Sequence, residues 1–199
     1  MGYGTYGTYE TYGTGRAGYI IMRIIAGTAK GRRLFAPDNR DIRPTSDRVR
    51  ENLFNILMPR IESARFLDLF CGSGATGIEA LSRGAQHFTF IDHDNAALQL
   101  TRRNLELCRL SVDGHLVRAS IPQGLSRQPH PFDILFADPP YAFVDYEGLL
   151  HRLIELDFAG PDSLVILETS SKTRLPEKVA SLCQSQSRRY GDTALTFFS

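Results

Sequence analysis

Short apolar runs alternate with helically spaced ones through most of the chain. In order they fall at residues 65–70, 76–82, 87–91, 95–107, 115–117, 132–137, about 146–156 and 164–168. The short apolar runs predict largely buried strands, and the amphipathic stretches between them predict the helices that cover those strands. This is the rhythm of a mostly parallel α/β sheet. Upstream, residues 22–27 and 32–36 flank a Lys30-Gly31 turn and predict a basic hairpin. Ser46 or Asp47 caps a predicted helix with Val49, Leu53, Phe54 and Leu57 at helical spacing, ending at Pro59. Downstream, a helix is expected over 176–183, followed by a terminal antiparallel hairpin of 187–190 and 194–198 around Gly191-Asp192. The first 21 residues open with repeated Tyr-Gly-Thr units, have no aliphatic residue before Ala17 and are expected to be disordered. The simplest expectation is an extension that precedes the domain beginning at Met22.

Composition narrows the class. The 199 residues, 42% hydrophobic and 23% charged, suit one ordinary domain with a small appendage. No run approaches the roughly 18 apolar residues of a membrane span, and a signal peptide is not evident, so the expected location is cytoplasmic. Cys71, Cys108 and Cys183 show no CxxC spacing and are expected to be free thiols. The five histidines show no ligand spacing, and no metal is expected. A net charge of +1 conceals an uneven distribution. Residues 23–50 carry eight Arg or Lys against three Asp, whereas residues 51–199 carry 14 against 18.

The loop Asp68-Leu69-Phe70-Cys71-Gly72-Ser73-Gly74 follows one strand and opens a helix, where glycines let backbone N–H groups approach a ligand. Gly72, Gly74 and Gly77 also fit a dinucleotide spacing, so the pattern alone leaves NAD and other adenosine cofactors open. Asp92 closes the next strand, where a carboxylate can accept hydrogen bonds from both ribose hydroxyls. Asp94, nearby, reads as a local structural residue. The strand 132–137 runs into Asp138-Pro139-Pro140-Tyr141, at the carboxyl end where such sheets place their chemistry.

Asp-Pro-Pro-Tyr after a hydrophobic strand, preceded by this glycine loop and a strand-end acid, resembles the amino-methyltransferases that use S-adenosylmethionine to methylate exocyclic base nitrogens. Such an amine is a poor nucleophile, because its lone pair is delocalised into the ring. Asp138 and the Pro139 carbonyl can accept its two N–H bonds and stabilise growing positive charge, the prolines hold that pair rigid, and Tyr141 can stack on the base. The similarity runs from about Arg23 to Phe198. It includes Arg23-Ile24-Ile25-Ala26-Gly27, Lys30-Gly31-Arg32-Arg33-Leu34, the stretch Arg43-Pro44-Thr45-Ser46-Asp47-Arg48-Val49-Arg50-Glu51, Gly77, Glu79-Ala80, Ser82-Arg83-Gly84-Ala85 and Asn104. On these motifs the chain is identified as a member of the RsmD family of bacterial small-subunit ribosomal RNA methyltransferases, which form N2-methylguanine in 16S RNA.

The resemblance implies a Rossmann-like class I S-adenosylmethionine-dependent methyltransferase fold: a mostly parallel seven-stranded sheet, a C-terminal antiparallel hairpin and a small N-terminal hairpin and helix appendage. The expected division is a tail over 1–21, a basic RNA-binding appendage over 22–59 and a catalytic domain over 60–199. Asp68, Phe70, Gly72, Ser73, Gly74 and Asp92 are expected at the cofactor, with Ser120 where relatives often carry an Asp on the adenine side. Asp138, Pro139, Pro140 and Tyr141 are the expected catalytic loop. Lys30, Arg32, Arg33, Arg43, Thr45, Arg48 and Arg50 are expected on RNA, Arg43 foremost. The implied partner is 16S RNA in the 30S subunit or its assembly intermediate, with ribosomal proteins, met by a monomer. Alternatives are an adenine-N6 methyltransferase of DNA or another RNA, and a non-catalytic RNA-binding assembly factor.

Overall fold

The short apolar runs form the centre of a sheet in the computed structural model of the chain, which describes residues 22–36, 47–110 and 115–199. A small separate hairpin pairs β1 (Met22–Arg23) with β2 (Arg33–Leu34). The main sheet contains β3 (Arg65–Leu69), β4 (His87–Asp92), β5 (His115–Arg118), β6 (Phe132–Ala137), β7 (Ala159–Ser170), β8 (Lys178–Val179), β9 (Leu182–Tyr190) and β10 (Thr193–Phe198). Their order is β5-β4-β3-β6-β7-β10-β9-β8. Ladders from β5 through β7 are parallel, whereas β10 runs antiparallel to both β7 and β9. Four helices are described: α1 (Asp47–Ile61), α2 (Ala75–Ser82), α3 (Asn95–Cys108) and α4 (Tyr146–Glu155). The chain builds outward from β3 to β5 and then returns to place β6 on the other side of β3. Strand order therefore reverses between β3 and β6, and their carboxyl ends form the crevice where open α/β sheets bind ligands.

Alternation along the central strands sends side chains to two cores. Leu67, Leu69, Leu135, Val165 and Leu167 face α4 and its Leu149, Leu150 and Leu153. Phe66, Ile134, Phe136 and Ile166 face α1 and its Leu53, Phe54, Leu57 and Ile61. The apolar stripe of α1 thus lies on the main sheet, and Met22, Ile24, Ala29 and Leu34 of the small hairpin pack with α2, α3 and β4. Full burial of one such side chain contributes about 1.5–3 kcal/mol, and truncating Phe66 at the centre to Ala should cost about 3–5 kcal/mol.

The structure corrects three expectations. Helix α1 does not stop at Pro59 but continues to Ile61, because the stripe Leu53-Leu57-Ile61 still gains burial and a proline near a helix end removes only one hydrogen bond. Ser63, with φ of 61°, then turns the chain away. The expected helix over 176–183 is instead the hairpin of β8 and β9, with Ala180 in the left-handed region at its turn. Val179 and Leu182 pair directly across that turn and are both buried on one side, so a hairpin produced an i, i+3 spacing that imitates a helix. This short strand also raises the sheet from seven to eight strands. The tail, residue Ser46 as a cap, and Arg43 and Thr45 lie outside the described residues. Among the described residues no helix is long and apolar enough to cross a membrane.

Candidate active site

At the crevice, β3 gives way to a loop in which Phe70, Gly72 and Gly74 all adopt positive φ, of 59°, 54° and 74°. Gly74 begins α2, and a Cβ there would lie 2.6 Å from Thr101 Cγ2, so both its conformation and its packing require glycine. The loop is tied on each side. The Gly72 N–H donates to Asp92 Oδ2 at 3.0 Å, the Gly72 carbonyl accepts from Thr101 Oγ1 at 3.0 Å, and the Gly74 N–H donates to the Cys71 carbonyl at 2.7 Å. Asp68 Oδ2 accepts from the Gly77 N–H at 2.9 Å, within the first turn of α2. Asp92 Oδ1 accepts from the Asp94 N–H at 3.0 Å. Asp94 itself caps α3 by accepting from the Ala96 N–H, the structural part that its position suggested.

Ser73 departs from a simple ligand geometry. Its hydroxyl donates toward Met22 Sδ at 3.6 Å and its carbonyl accepts from Asn104 Nδ2 at 2.8 Å, so its side chain ties the loop to the amino-terminal hairpin. Ser120 is exposed just beyond β5, next to the Ala119 N–H that donates to the Asp92 carbonyl.

The second half of the crevice follows β6. The Asp138 N–H reaches the Leu69 carbonyl at 3.5 Å, which sets the Asp-Pro-Pro-Tyr loop beside the glycine loop. Pro139 is buried, Pro140 is exposed, and Tyr141 is 77% exposed. The Pro140 carbonyl accepts from the Phe143 N–H at 2.8 Å and folds the loop back. Phe143 packs edge-on against Phe70, with centroids 5.4 Å apart, and against Tyr146 at 5.2 Å. Three aromatic rings thus wall the space near Asp138. The spacing of Phe143 and Tyr146 behind Tyr141 was the available signal, and sequence reasoning passed over it.

Asp68, Asp92 and Asp138 converge electrostatically. Burial pushes the Asp68 carboxyl well above the usual carboxylate range, the charges of Asp138 and Asp92 raise it further, and the Gly77 N–H opposes the rise. Burial likewise pushes the Cys71 thiol well up, with Asp68 and Asp92 adding to the effect. Burial also raises the Tyr146 phenol, against a hydrogen bond that the Thr173 hydroxyl donates to its oxygen, and Asp138 adds to the rise. A site this rich in close carboxylates favours a cation. A sulfonium-bearing adenosine cofactor fits that donor set, with the glycine loop giving close backbone approach. No group of three or more His, Cys, Asp or Glu among the described residues is arranged to hold a metal ion.

The proposed RNA-contacting cations divide. Lys30, Arg32, Arg33 and Arg48 are on the surface, but Arg50 is fully buried. Its Nη2 donates to the Arg23 carbonyl at 2.6 Å and to Asp47 Oδ1 at 2.9 Å, and its Nε lies 4.0 Å from Glu79 Oε2. Arg50 is an internal brace and cannot reach a phosphate. Glu79, also fully buried, accepts from the Ile25 and Ala26 N–H groups at 2.7 and 3.0 Å and from Arg83 Nε at 2.7 Å. Ser82 Oγ accepts from the Ala29 N–H and donates to the Ala26 carbonyl. Asn104 accepts from the Phe35 N–H at 2.8 Å while its amide donates to the carbonyls of Phe35 and Ser73. These three polar residues seat the hairpin on α2 and α3. Sequence reasoning recognised them as part of a matching pattern but assigned them no part, since a buried Glu looks like any surface Glu of a helix.

Residues 22–199 match the protein family described as Conserved hypothetical protein 95. The chain is 40% identical over 152 residues to the ribosomal RNA small subunit methyltransferase D of Haemophilus influenzae, covering 74% of this chain and 78% of that one. It is 35% identical over 177 residues to the protein of the same name from Escherichia coli K12, covering 89% of each. Superposed on a solved Escherichia coli chain it gives a TM-score of 0.79 at 35% identity, covering 89% of this chain and 97% of that one.

Proposed function

Because this chain belongs to the Conserved hypothetical protein 95 family and stands with its ribosomal RNA small subunit methyltransferase D members, we propose that it methylates the exocyclic N2 amine of a guanine in 16S RNA. The substrate is the 30S particle or its assembly intermediate. The observation that carries the reading is the convergence of Asp68, Asp92 and Asp138 at the ends of three adjacent strands, beside a rigid Asp-Pro-Pro-Tyr loop. S-adenosylmethionine, when bound, supplies an electrophilic methyl carbon on a positively charged sulfur. Gly72, Gly74 and Phe70 line its approach, and Asp92 accepts from ribose hydroxyls with the oxygen lone pairs its two backbone donors leave free.

The chain's own work is positioning and electrostatics. Asp138 and the Pro139 carbonyl accept the two N–H bonds of the amine, which turns the nitrogen lone pair out of the ring and toward the methyl carbon. Positive charge would grow on that nitrogen as the N–C bond forms and the bond from the methyl carbon to the sulfonium sulfur breaks, leaving a neutral thioether, and the half-buried Asp138, with Asp92 nearby, would stabilise it. The proton then leaves the methylated amine, late, to Asp138 or to solvent. Tyr141, exposed at the mouth, stacks on the extruded base, while Lys30, Arg32, Arg33 and Arg48 hold the backbone.

Incubating the protein with tritiated S-adenosylmethionine and unmodified 30S particles, followed by nucleoside analysis, tests the reading. Labelled N2-methylguanine is expected. Labelled N6-methyladenine, or cofactor binding without any labelled nucleoside, would overturn it.

A further inference from the structure

Away from the crevice loop, the carboxyl-terminal hairpin carries a basic cluster that the overall charge conceals. Residues 171–190 hold five Lys or Arg against one Glu, whereas residues 51–170 hold nine against sixteen Asp or Glu. Part of this cluster lines a concavity. The β7–β8 connection and one face of β9 and β10 border an open surface cavity of about 320 Å³, lined in part by Ser171, Thr173, Arg174, Glu177, Ser187 and Arg189. Ser187 and Arg189 lie on the same face of β9, opposite Thr196 and Ala194 of β10. Arg189 Nη2 donates to Ser171 Oγ at 3.1 Å, which holds the guanidinium over the cavity, and the Ser187 and Thr196 hydroxyls stand 3.2 Å apart. Neither Arg174 nor Arg189 has a carboxylate ion-pair partner among the described residues, and Glu177 is the one carboxylate lining the space. Two guanidiniums with several hydroxyls offer the planar donors and the net positive charge that a phosphodiester requires.

The cavity is joined to the crevice. Thr173 bonds the Tyr146 hydroxyl, and Tyr146 packs on Phe143 of the catalytic loop. The Ser171 N–H donates to the Asp192 carbonyl at 2.7 Å and fixes the connection at the carboxyl end of β7, two positions along the sheet from β3. We propose that this cavity binds a backbone phosphate of the RNA strand that presents its base to Asp138, on the side of the crevice opposite the amino-terminal hairpin. The inference rests on the RNA-methylating reading above. It adds a second, carboxyl-terminal contact to the amino-terminal one and accounts for a basic cluster with no other use.

Arg174→Ala/Arg189→Ala tests it, with Arg189→Ala and Arg188→Ala compared singly. Arg188 carries the same charge on the opposite face of β9, so it separates a built site from diffuse attraction. These surface changes should leave stability within about 0.5 kcal/mol. With 30S particles, the double variant should show a KM about tenfold higher, with kcat and S-adenosylmethionine affinity unchanged. The log–log slope of RNA affinity against salt should become shallower by about 1. Arg188→Ala should move KM less than about twofold. A methylating wild type whose double variant keeps its KM and salt slope overturns the cavity alone, as does an Arg188→Ala loss equal to that of Arg189→Ala. A wild type that methylates no particle, beside a double variant that still loses RNA affinity, overturns the enzymatic reading and leaves the cavity standing.

Discussion

Glu79→Gln changes one atom type at the centre of the seam between the amino-terminal hairpin and α2. In the wild type both carboxylate oxygens accept, Oε2 from the Ile25 N–H and Oε1 from the Ala26 N–H and Arg83 Nε. A glutamine has one accepting oxygen, so its NH₂ must face a backbone or guanidinium donor. That loses at least one hydrogen bond and leaves a buried donor unpaired, at about 1–3 kcal/mol. Removing the charge also strips Arg50 of a counter-ion. Burial already lowers the Arg50 pKa, Asp47, Glu79 and Glu168 oppose that fall, and its Nε and Nη1 have no hydrogen-bond partner. Breaking a buried pair from one side costs about 3–5 kcal/mol, and that range includes the lost hydrogen bond. For a domain of this size, about 3–5 kcal/mol lowers Tm by roughly 6–20 °C. Thermal melts by circular dichroism measure it, with Asp47→Asn as the comparison. Asp47 is only half-buried and its loss should cost about 1 kcal/mol. A Glu79→Gln protein melting within about 2 °C of wild type would refute the assignment of the seam as a buried ionic anchor.

Three further outcomes follow from the crevice. Asp138→Asn should lower kcat by about 10²–10³ with a much smaller change in S-adenosylmethionine affinity, read by titration calorimetry beside turnover on 30S particles; equal losses would contradict its place at the amine. Asp68→Asn keeps an acceptor for the Gly77 N–H but removes a carboxylate whose pKa is raised on folding. The stability tied to Asp68 is full below the ordinary carboxylate range and is lost as pH rises through the raised value. Cofactor-free wild type should therefore lose stability relative to Asp68→Asn as pH rises from the ordinary carboxylate range toward the raised value, while the variant binds S-adenosylmethionine more weakly; parallel stability profiles would remove the argument. Asn104→Ala leaves the buried Ser73 carbonyl without its donor, at about 1–3 kcal/mol, and frees Phe35. It should raise the KM for cofactor and for RNA together, and an effect on stability alone would make Asn104 merely structural.

The parallel core and the position of the Asp-Pro-Pro-Tyr loop were legible because both depend on local pattern. Phe132–Ala137 is an apolar run interrupted only by Asp133, and the strand and the loop beyond it stand where that run placed them. What escaped depends on burial that only the fold decides. Arg50 sits in a basic stretch and reads as a phosphate contact, yet its position on α1 turns it inward beneath Arg23. Glu79 and Asn104 lie on the hidden faces of α2 and α3, and no local signal separates a helix residue that clasps a distant backbone from one that meets water. Val179 and Leu182 failed for the opposite reason, since three-residue spacing serves a helix turn and a two-residue hairpin turn equally well.

The same burial explains why a nearly neutral chain suits an anionic substrate. Acidic residues dominate the stretch that builds the crevice, while the basic excess lies in residues 23–50 and 171–190. A phosphate brought to the mouth beside Asp92 and Asp138 meets like charge, whereas on either side it meets guanidiniums. On the proposed function this arrangement sorts a nucleotide into its parts, holding the charged backbone at the two flanks and admitting only the neutral base to the centre. The carboxylates that repel the backbone are those that attract a sulfonium and stabilise a nitrogen gaining positive charge, so one cluster excludes the wrong part of the substrate and favours the reaction of the right part. Glu79, Ser82 and Asn104 keep the geometry consistent, because they fasten the basic hairpin to the helices that carry the cofactor loop. A shift of the flank would then be a shift of the loop, which is why loosening Asn104 should disturb both substrates at once.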